Sequence, residues 1–474
     1  MISTRRTFIR MASSLLIPMP TDSQIEEVQT GYEDYRYRAP YKFGGKEVDR
    51  ATLLNVHCRV RTRAGKSAVG FGSMSLGNMW SFPASNIPYE TTLAAMKSLS
   101  QKIAQLLRDF REYAHPLDVD RALQPEYLKA ALEISREMKL PQRIPKLCSL
   151  VTASPFDAAL HDAFGRLHNR SSYAACGKEF VRYDLAHYLT TDFRGEYLDR
   201  YVMREPAARI RMFHSVGASD PLTIGDVKHR IADGLPETLE EWVPHNGLTA
   251  FKIKLNGDDL AWDVERVAAI ERVAARAEAK RHFSEWIYSL DFNERCPNVQ
   301  YVLDFERQLQ GKAPSAFRRV QYIEQPTARD LAANRQNTMF KAARLAPIVI
   351  DESLTGLDAL LLAREMGYTG VALKACKGIS ETLLMTAASR KYGMFRCVQD
   401  LTCPGAAFVE SAGIAAHVPG ISGLEANARE YVPAANRGWE KRFPGLFVVN
   451  NGYLDTSALT GPGLCTNRRT EPIG

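Results

Sequence analysis

No apolar run in this 474-residue chain approaches the roughly 18 residues that a bilayer-spanning helix needs, so an integral membrane protein is excluded. There is no block of Lys and Arg either. Sixty-one Lys+Arg against 54 Asp+Glu give a net charge of +7 spread along the chain, without the concentrated basic footprint of a nucleic-acid binder. A small anionic substrate is the more natural partner. The eight cysteines (Cys58, Cys148, Cys176, Cys296, Cys376, Cys397, Cys403 and Cys465) include no C-x-x-C pair and no Cys/His cluster at zinc spacing, and are expected to be free thiols used in packing. In a chain this long they say little about compartment. No G-x-G-x-x-G follows a strand pattern, which removes the usual dinucleotide fingerprint. What is present is ordinary globular composition, 45% hydrophobic and 24% charged, which excludes wholesale disorder, collagen-like repeats and a coiled-coil rod. The length allows about three domain-equivalents, or one large barrel with a smaller partner.

Residues 3–10 read STRRTFIR and precede the short apolar stretch MASSLLIP. This resembles a twin-arginine export signal with Arg5 and Arg6 as the pair, which would place the folded protein in the periplasm. The apolar stretch is brief and no A-x-A cleavage site follows, so a basic start on a cytoplasmic protein stands beside it as the alternative.

Residues 1–48 are expected to be a lead-in carrying that signal, polar and Tyr-rich after position 20, with Pro40, Gly44 and Gly45. The run ATLLNVHCRVRTRAGKSAVGFGSMSL (51–76) alternates around Ala64-Gly65, which predicts a β-hairpin. Helical patterns follow near 89–113, 127–138 and 154–169, making 49–207 an α+β capping domain. From 208 to 435 the rhythm changes to strand patterns each followed by a helical stretch. Eight strand patterns (209–216, 249–255, 286–292, 319–325, 347–352, 370–375, 394–400 and 420–426) predict a modified TIM (β/α)8 barrel, in preference to an open doubly wound sheet. The length of 295–318 predicts an insertion after the third barrel strand. Residues 436–474, rich in Gly, Pro and Asn, are expected to return to the capping domain.

A barrel strand should finish apolar unless its last residues serve a site at the carboxyl-end face. Five consecutive strands here end in charge: Lys252 and Lys254, then Asp291, Glu324, Asp351 and Lys374. Any one alone could simply be reaching solvent. Together they share one location, where uncompensated burial would cost on the order of several kcal/mol per ion. Three carboxylates from adjacent strands are hard oxygen ligands suited to octahedral Mg2+ more than to zinc, so Asp291, Glu324 and Asp351 are ligand candidates. Residues two apart on a strand face the same way, which sends both Lys252 and Lys254 into the barrel mouth. The second and sixth strands lie across the ring from each other, so Lys254 and Lys374 would flank a bound substrate. Mutual repulsion of Lys254 and Lys374, together with Lys252 beside Lys254, is expected to lower the proton affinities of those two toward the working pH, as a general base requires.

The segments KIK (252–254), DFN (291–293), EQP (324–326), DES (351–353) and LKACKGIS (373–380), with ALHDAFGR (159–166) on the last cap helix, resemble the enolase superfamily. The resemblance is to its mandelate racemase/muconate lactonizing enzyme family, specifically the muconate lactonizing enzyme/dipeptide epimerase subgroup, and covers roughly residues 50–465. It implies a capped barrel, Mg2+ on Asp291, Glu324 and Asp351, and an acid/base pair of Lys254 and Lys374 with Lys252 as an electrostatic neighbour. Asn293, Asp400 and Glu425 are taken as substrate-binding candidates. Three departures matter. The eighth strand reads GLEANARE (423–430) where dipeptide epimerases carry D-x-D, which weighs against a dipeptide, with Glu425 able to replace part of that function. The cap hairpin reads GFGSMSLGNMW (70–80), lacking the acidic residue often found after G-x-G. The seventh strand ends at Asp400 without a His, which weighs against the mandelate-racemase base and an acid-sugar dehydratase.

The expected activity is abstraction of the proton α to a substrate carboxylate, with racemisation or epimerisation preferred. Cycloisomerisation or elimination on the same two lysines, and a barrel that keeps the fold without turnover, remain alternatives. The chain is expected to take a small carboxylate substrate as a homo-oligomer, with neither nucleic acid nor membrane as partner. His161 and His168 are read as surface or cap-interface residues, and His214 as packing or hydrogen-bonded. Cys376, two residues after Lys374, lacks an identifiable base that would make it a nucleophile. Lys377 is placed in the turn beyond the sixth strand.

Overall fold

The computed structural model describes residues 19–83 and 86–466. Arg5 and Arg6 lie outside them. The chain opens with an antiparallel sheet of three strands, β1 (Ser23–Phe43), β2 (Lys46–Thr62) and β3 (Ser67–Ser75), in that order across the sheet. The expected hairpin turn at Ala64-Gly65 joins β2 to β3. The expected lead-in is a different matter, because Ser23–Phe43 is the longest strand of the cap, paired with β2 from Ser23↔Thr62 to Phe43↔Lys46. Its sequence conceals this because the register breaks between Arg36 and Tyr41, where Pro40 has no N–H to give to a ladder. Gly44 and Gly45, with φ of +53° and +72°, turn β1 back into β2.

Three helices, Tyr89–Asp109, Pro116–Glu137 and Lys146–Leu167, complete the cap. The third starts eight residues before the apolar pattern recognised at 154. Nearly all its side chains are buried, so it has no polar face to mark its length. It crosses β3 at backbone contact: a Cβ on Gly70 would lie 2.2 Å from the Ala159 carbonyl oxygen, and one on Gly72 would lie 2.1 Å from that of Pro155.

All eight expected barrel strands form: β4 (Arg209–Val216), β5 (Ala250–Lys254), β6 (Ile287–Asp291), β7 (Val320–Glu324), β8 (Ile348–Ile350), β9 (Gly370–Leu373), β10 (Phe395–Val398) and β11 (Leu424–Glu425). They are parallel in sequence order, and β11 pairs with β4 at Leu424↔Met212 to close the ring. Phe213, Ala250, Tyr322, Val349, Ala372 and Cys397, from six different strands, plug the barrel interior as a cluster of their own. The insertion expected at 295–318 is instead the ordinary crossover, a helix Val299–Lys312 followed by a shorter one, Pro314–Arg319, that restarts at a proline. The next crossover is the irregular one, holding a single 3-10 turn, Ala342–Arg344, and no α-helix among the described residues.

The C-terminal segment does two things. β12 (Tyr453–Asp455) pairs antiparallel with the first residues of β4, Arg209–Arg211, and the chain then reaches the cap, where Leu464 N–H donates to Asp162 Oδ1 at 2.8 Å and Thr466 Oγ1 to the Phe71 carbonyl at 2.7 Å. All eight cysteines are free thiols. No described helix is long and apolar enough to cross a membrane.

Candidate active site

Five of the six plug residues are followed, two positions further along the chain, by a residue of the mouth. Ala250 leads to Lys252 and then Lys254, Tyr322 to Glu324, Val349 to Asp351, Ala372 to Lys374 and Cys397 to Gln399. Period-2 alternation therefore stacks a layer of charge on a layer of apolar side chains. Lys254, Asp291 and Glu324 are neighbours in one register row across β5, β6 and β7.

Every acid expected as a ligand is met by a lysine. Lys254 Nζ lies 2.5 Å from Asp291 Oδ2. Lys252 Nζ sits 3.2 Å from Asp291 Oδ2, 3.0 Å from Glu324 Oε1 and 2.8 Å from Glu425 Oε2. On the far side, Asp351 takes Lys374 Nζ at 2.8 Å and Lys377 Nζ at 3.1 Å. These pairs overturn the expectation of a lowered proton affinity at Lys374. Burial does pull Lys252 and Lys374 downward, but Glu324, Glu425 and Asp291 around Lys252, and Asp351 beside Lys374, outweigh it and leave both above the ordinary lysine value. Burial pushes the acids up and the lysines pull Asp291 and Asp351 back below the usual carboxylate range. Glu324 is pushed well up, by burial first and then by Asp291 beside it in the row.

A cavity lies above these pairs, between cap and barrel. Lys254 and Lys374 both line it, as do Asn293, Asp400, Glu425 and Asn427, while Tyr41 and Phe43 from β1 and Trp80 from the one-turn helix Asn78–Ser81 after β3 wall it on the cap side. Trp80 Nε1 donates to Glu352 Oε1 at 2.9 Å, and its ring centroid is 4.4 Å from Lys374 Nζ. Asn293, in the left-handed region at φ +44°, uses its backbone N–H on Asp291 Oδ1 at 2.8 Å. Asp400 accepts the N–H groups of Thr402 and Asn427, each at 3.2 Å, and is raised to about 7 by burial and then by Glu425. Glu425 reaches the cavity, yet its Oε2 is committed to Lys252.

The structure thus brings together all nine residues singled out from sequence. It adds Lys377, Glu352, Trp80, Asn427 and Gln399. Gln399 is legible in the sequence, since it stands two residues beyond Cys397 as Lys374 does beyond Ala372, but it carries no charge and its neighbour Asp400 does. His214 faces away from the plug, 3.0 Å from Glu430 Oε1, and burial pulls it down to about 3. His161 Nε2 meets Ser380 Oγ at 2.9 Å across the cap–barrel interface, and His168 Nε2 meets the Thr21 carbonyl at 2.8 Å. Cys376 is buried, which pushes its thiol up to about 12 and disqualifies it as a nucleophile.

Whether these residues suit a divalent cation can be judged from charge. Six buried carboxylates (Asp291, Glu324, Asp351, Glu352, Asp400 and Glu425) face four buried ammonium groups (Lys252, Lys254, Lys374 and Lys377), two negative charges over when every group is ionised. Glu352 is raised to about 7 by burial and then by Asp351, and its Oε2 has no hydrogen-bond partner. Asp291 and Glu324 already converge on a cation, the Lys252 ammonium. Among the described residues no three His, Cys, Asp or Glu side chains are yet spaced to hold a metal ion. Donor type, convergence and surplus charge fit a hard divalent cation, and its binding would require the lysine contacts on Asp291, Glu324 and Asp351 to loosen.

A family model described as "Enolase C-terminal domain-like" matches residues 234–470. No curated protein matches by sequence. Among solved structures, a dipeptide epimerase from Enterococcus faecalis V583, in complex with Mg and L-Leu-L-Tyr, superposes with a TM-score of 0.61 at 15% identity, over 93% of this chain and 99% of that one. A muconate lactonizing enzyme from Pseudomonas fluorescens, in complex with muconolactone, gives 0.59 at 18% identity over 94% and 97%. The L-Ala-D/L-Glu epimerase from Bacillus subtilis gives 0.60 at 16% identity over 93% and 98%. At such identities these likenesses establish the fold, while the family match covers the whole charged mouth. The chain belongs to the mandelate racemase/muconate lactonizing enzyme family of the enolase superfamily.

Proposed function

We propose that the protein is a Mg2+-dependent enzyme that removes the proton α to a substrate carboxylate and returns a proton to the same carbon, a racemase or epimerase. The observation that carries this reading is that Lys254 and Lys374, from the second and sixth barrel strands, line one cavity. A Mg2+ ion held by Asp291, Glu324 and Asp351 would supply positive charge beside the substrate carboxylate, easing the negative charge that develops as the α-proton leaves.

The remaining work falls to the chain. Asp291 and Asp351 pair with the two lysine Nζ atoms at 2.5 and 2.8 Å; once those contacts loosen for Mg2+, the strand positions of Lys254 and Lys374 would still bring each nitrogen to the cavity from its own side. One lysine takes the proton and the other returns one to the opposite face. Lys252, fully buried below them, compensates Glu324 and Glu425 and stays a charge, not a base. Tyr41, Phe43 and Trp80 supply an apolar wall on the cap side. Glu425 is already paired, which removes the free eighth-strand carboxylate that a substrate ammonium would seek and favours substrates such as N-acyl amino acids over free dipeptides.

The test is a screen of N-acyl amino acids, dipeptides and acid sugars in D2O, read by NMR for α-proton exchange, by polarimetry for inversion and by mass for loss of water. Exchange with inversion, abolished by EDTA, is the expected result. Loss of water would move the reading to a lyase. No exchange with any compound would favour a barrel without turnover.

A further inference from the structure

Gln399, just beyond β10, has no exposed surface and makes contacts that no charged residue could make together. Its Oε1 accepts from Lys252 Nζ at 2.8 Å. Its Nε2 donates to Glu324 Oε2 and lies 3.2 Å from the Tyr322 hydroxyl. An ionised carboxylate only accepts and an ammonium only donates, so a neutral amide is the group able to face both at once.

The consequence lies in how Glu324 is turned. Lys252 donates to Glu324 Oε1 at 3.0 Å, and the Gln399 amide donates to Oε2. The two oxygens are held by different donors on different strands, β5 and β10, and this fixes the plane of the carboxyl. Without the amide, Oε2 would lose a donor and the carboxyl could rotate to chelate Lys252 with both oxygens. Lys252 would remain anchored, because Glu425 and Asp291 hold it at 2.8 and 3.2 Å.

We propose that Gln399 is a positioning residue that orients Glu324 toward Asp291 and Asp351, and so sets the affinity of the barrel mouth for a divalent cation. This rests on the reading above that those three acids take Mg2+. Groups that orient metal ligands without touching the metal are typically worth about 10–100-fold in metal affinity.

Calorimetric titration of the full chain with Mg2+ decides the matter, with thermal midpoints measured in EDTA as the check on folding. Gln399→Met keeps length and bulk but neither donates nor accepts a strong hydrogen bond. It is expected to weaken Mg2+ binding by about 10–100-fold while the metal-free midpoint moves by only a few degrees. Asp291→Asn, which alters an assigned ligand, sets the scale of a direct loss. Should the Met variant not fold, Gln399→Asn serves, being one methylene too short to reach Lys252 and Glu324 together, with weakened binding again expected. A folded variant that binds Mg2+ within twofold of wild type overturns the proposal. Absence of Mg2+ binding by the wild type would instead bring down the assignment of the three acids, and this inference with it.

Discussion

Lys252 shows that a residue's direction can be legible while its electrostatic setting is not. Its inward direction follows from its spacing to Lys254, but lysine–lysine repulsion was the one interaction the sequence made visible. The three carboxylates within 3.2 Å come from β6, β7 and β11, and only the closed ring reveals that they outvote it. Gln399 escaped for the related reason that a neutral amide carries no charge signal. A different buried group gives a prediction of its own. Glu306 is 2% exposed, neither carboxyl oxygen has a partner, and burial raises it to about 8. The folded chain therefore binds this proton more tightly than the unfolded chain, whose carboxyl titrates near 4.5. Stability from this group is intact below pH 4.5 and is lost as pH rises through 8, by at most about 1.4 kcal/mol per pH unit. Glu306→Gln should flatten the fall between those limits in urea unfolding series; an unchanged pH profile would show that the carboxyl finds a partner in solution.

At the scale of elements, strand order and the period-2 mouth were legible because barrel strands are short, buried and uniform in spacing. β1 was not, since a register break at Pro40 erases the alternation. The helix Lys146–Leu167 was legible only from Ser154 onward, and the structure shows what two acids in that stretch do. Asp162 takes the N–H groups of Phe71 at 3.0 Å and Leu464 at 2.8 Å, tying hairpin to C-terminus. Asp157 takes both the N–H and the hydroxyl of Ser380 at 2.7 Å, at the start of the helix Ile379–Lys391 that follows the Lys374–Gly378 turn. The cap thus holds the turn that carries Lys374. The same helix leaves no room at Gly72, where a Cβ would strike the Pro155 carbonyl at 2.1 Å. Gly72→Ala should cost about 3 kcal/mol or prevent folding, since backbone must move to relieve the clash. Urea midpoints report it, and a loss below about 0.5 kcal/mol would mean that the hairpin and helix can separate freely.

For the whole molecule, neither half makes the site alone. The barrel supplies the acids and lysines, and the cap supplies the aromatic side chains that close the cavity over them. The sequence placed the barrel's share by number, because chemistry there follows strand ends. It could not place Tyr41, Phe43 and Trp80, whose roles depend on how a distant sheet is docked. The central claim is that two lysines address opposite faces of one carbon, and α-proton exchange in D2O tests it most directly once a substrate is in hand. With Lys374→Met, exchange should persist for one stereoisomer and vanish for the other, with the opposite pattern for Lys254→Met and no inversion by either variant. Equal loss of exchange with both stereoisomers in the Lys374 variant would contradict the two-faced assignment and leave a single-base reaction in its place.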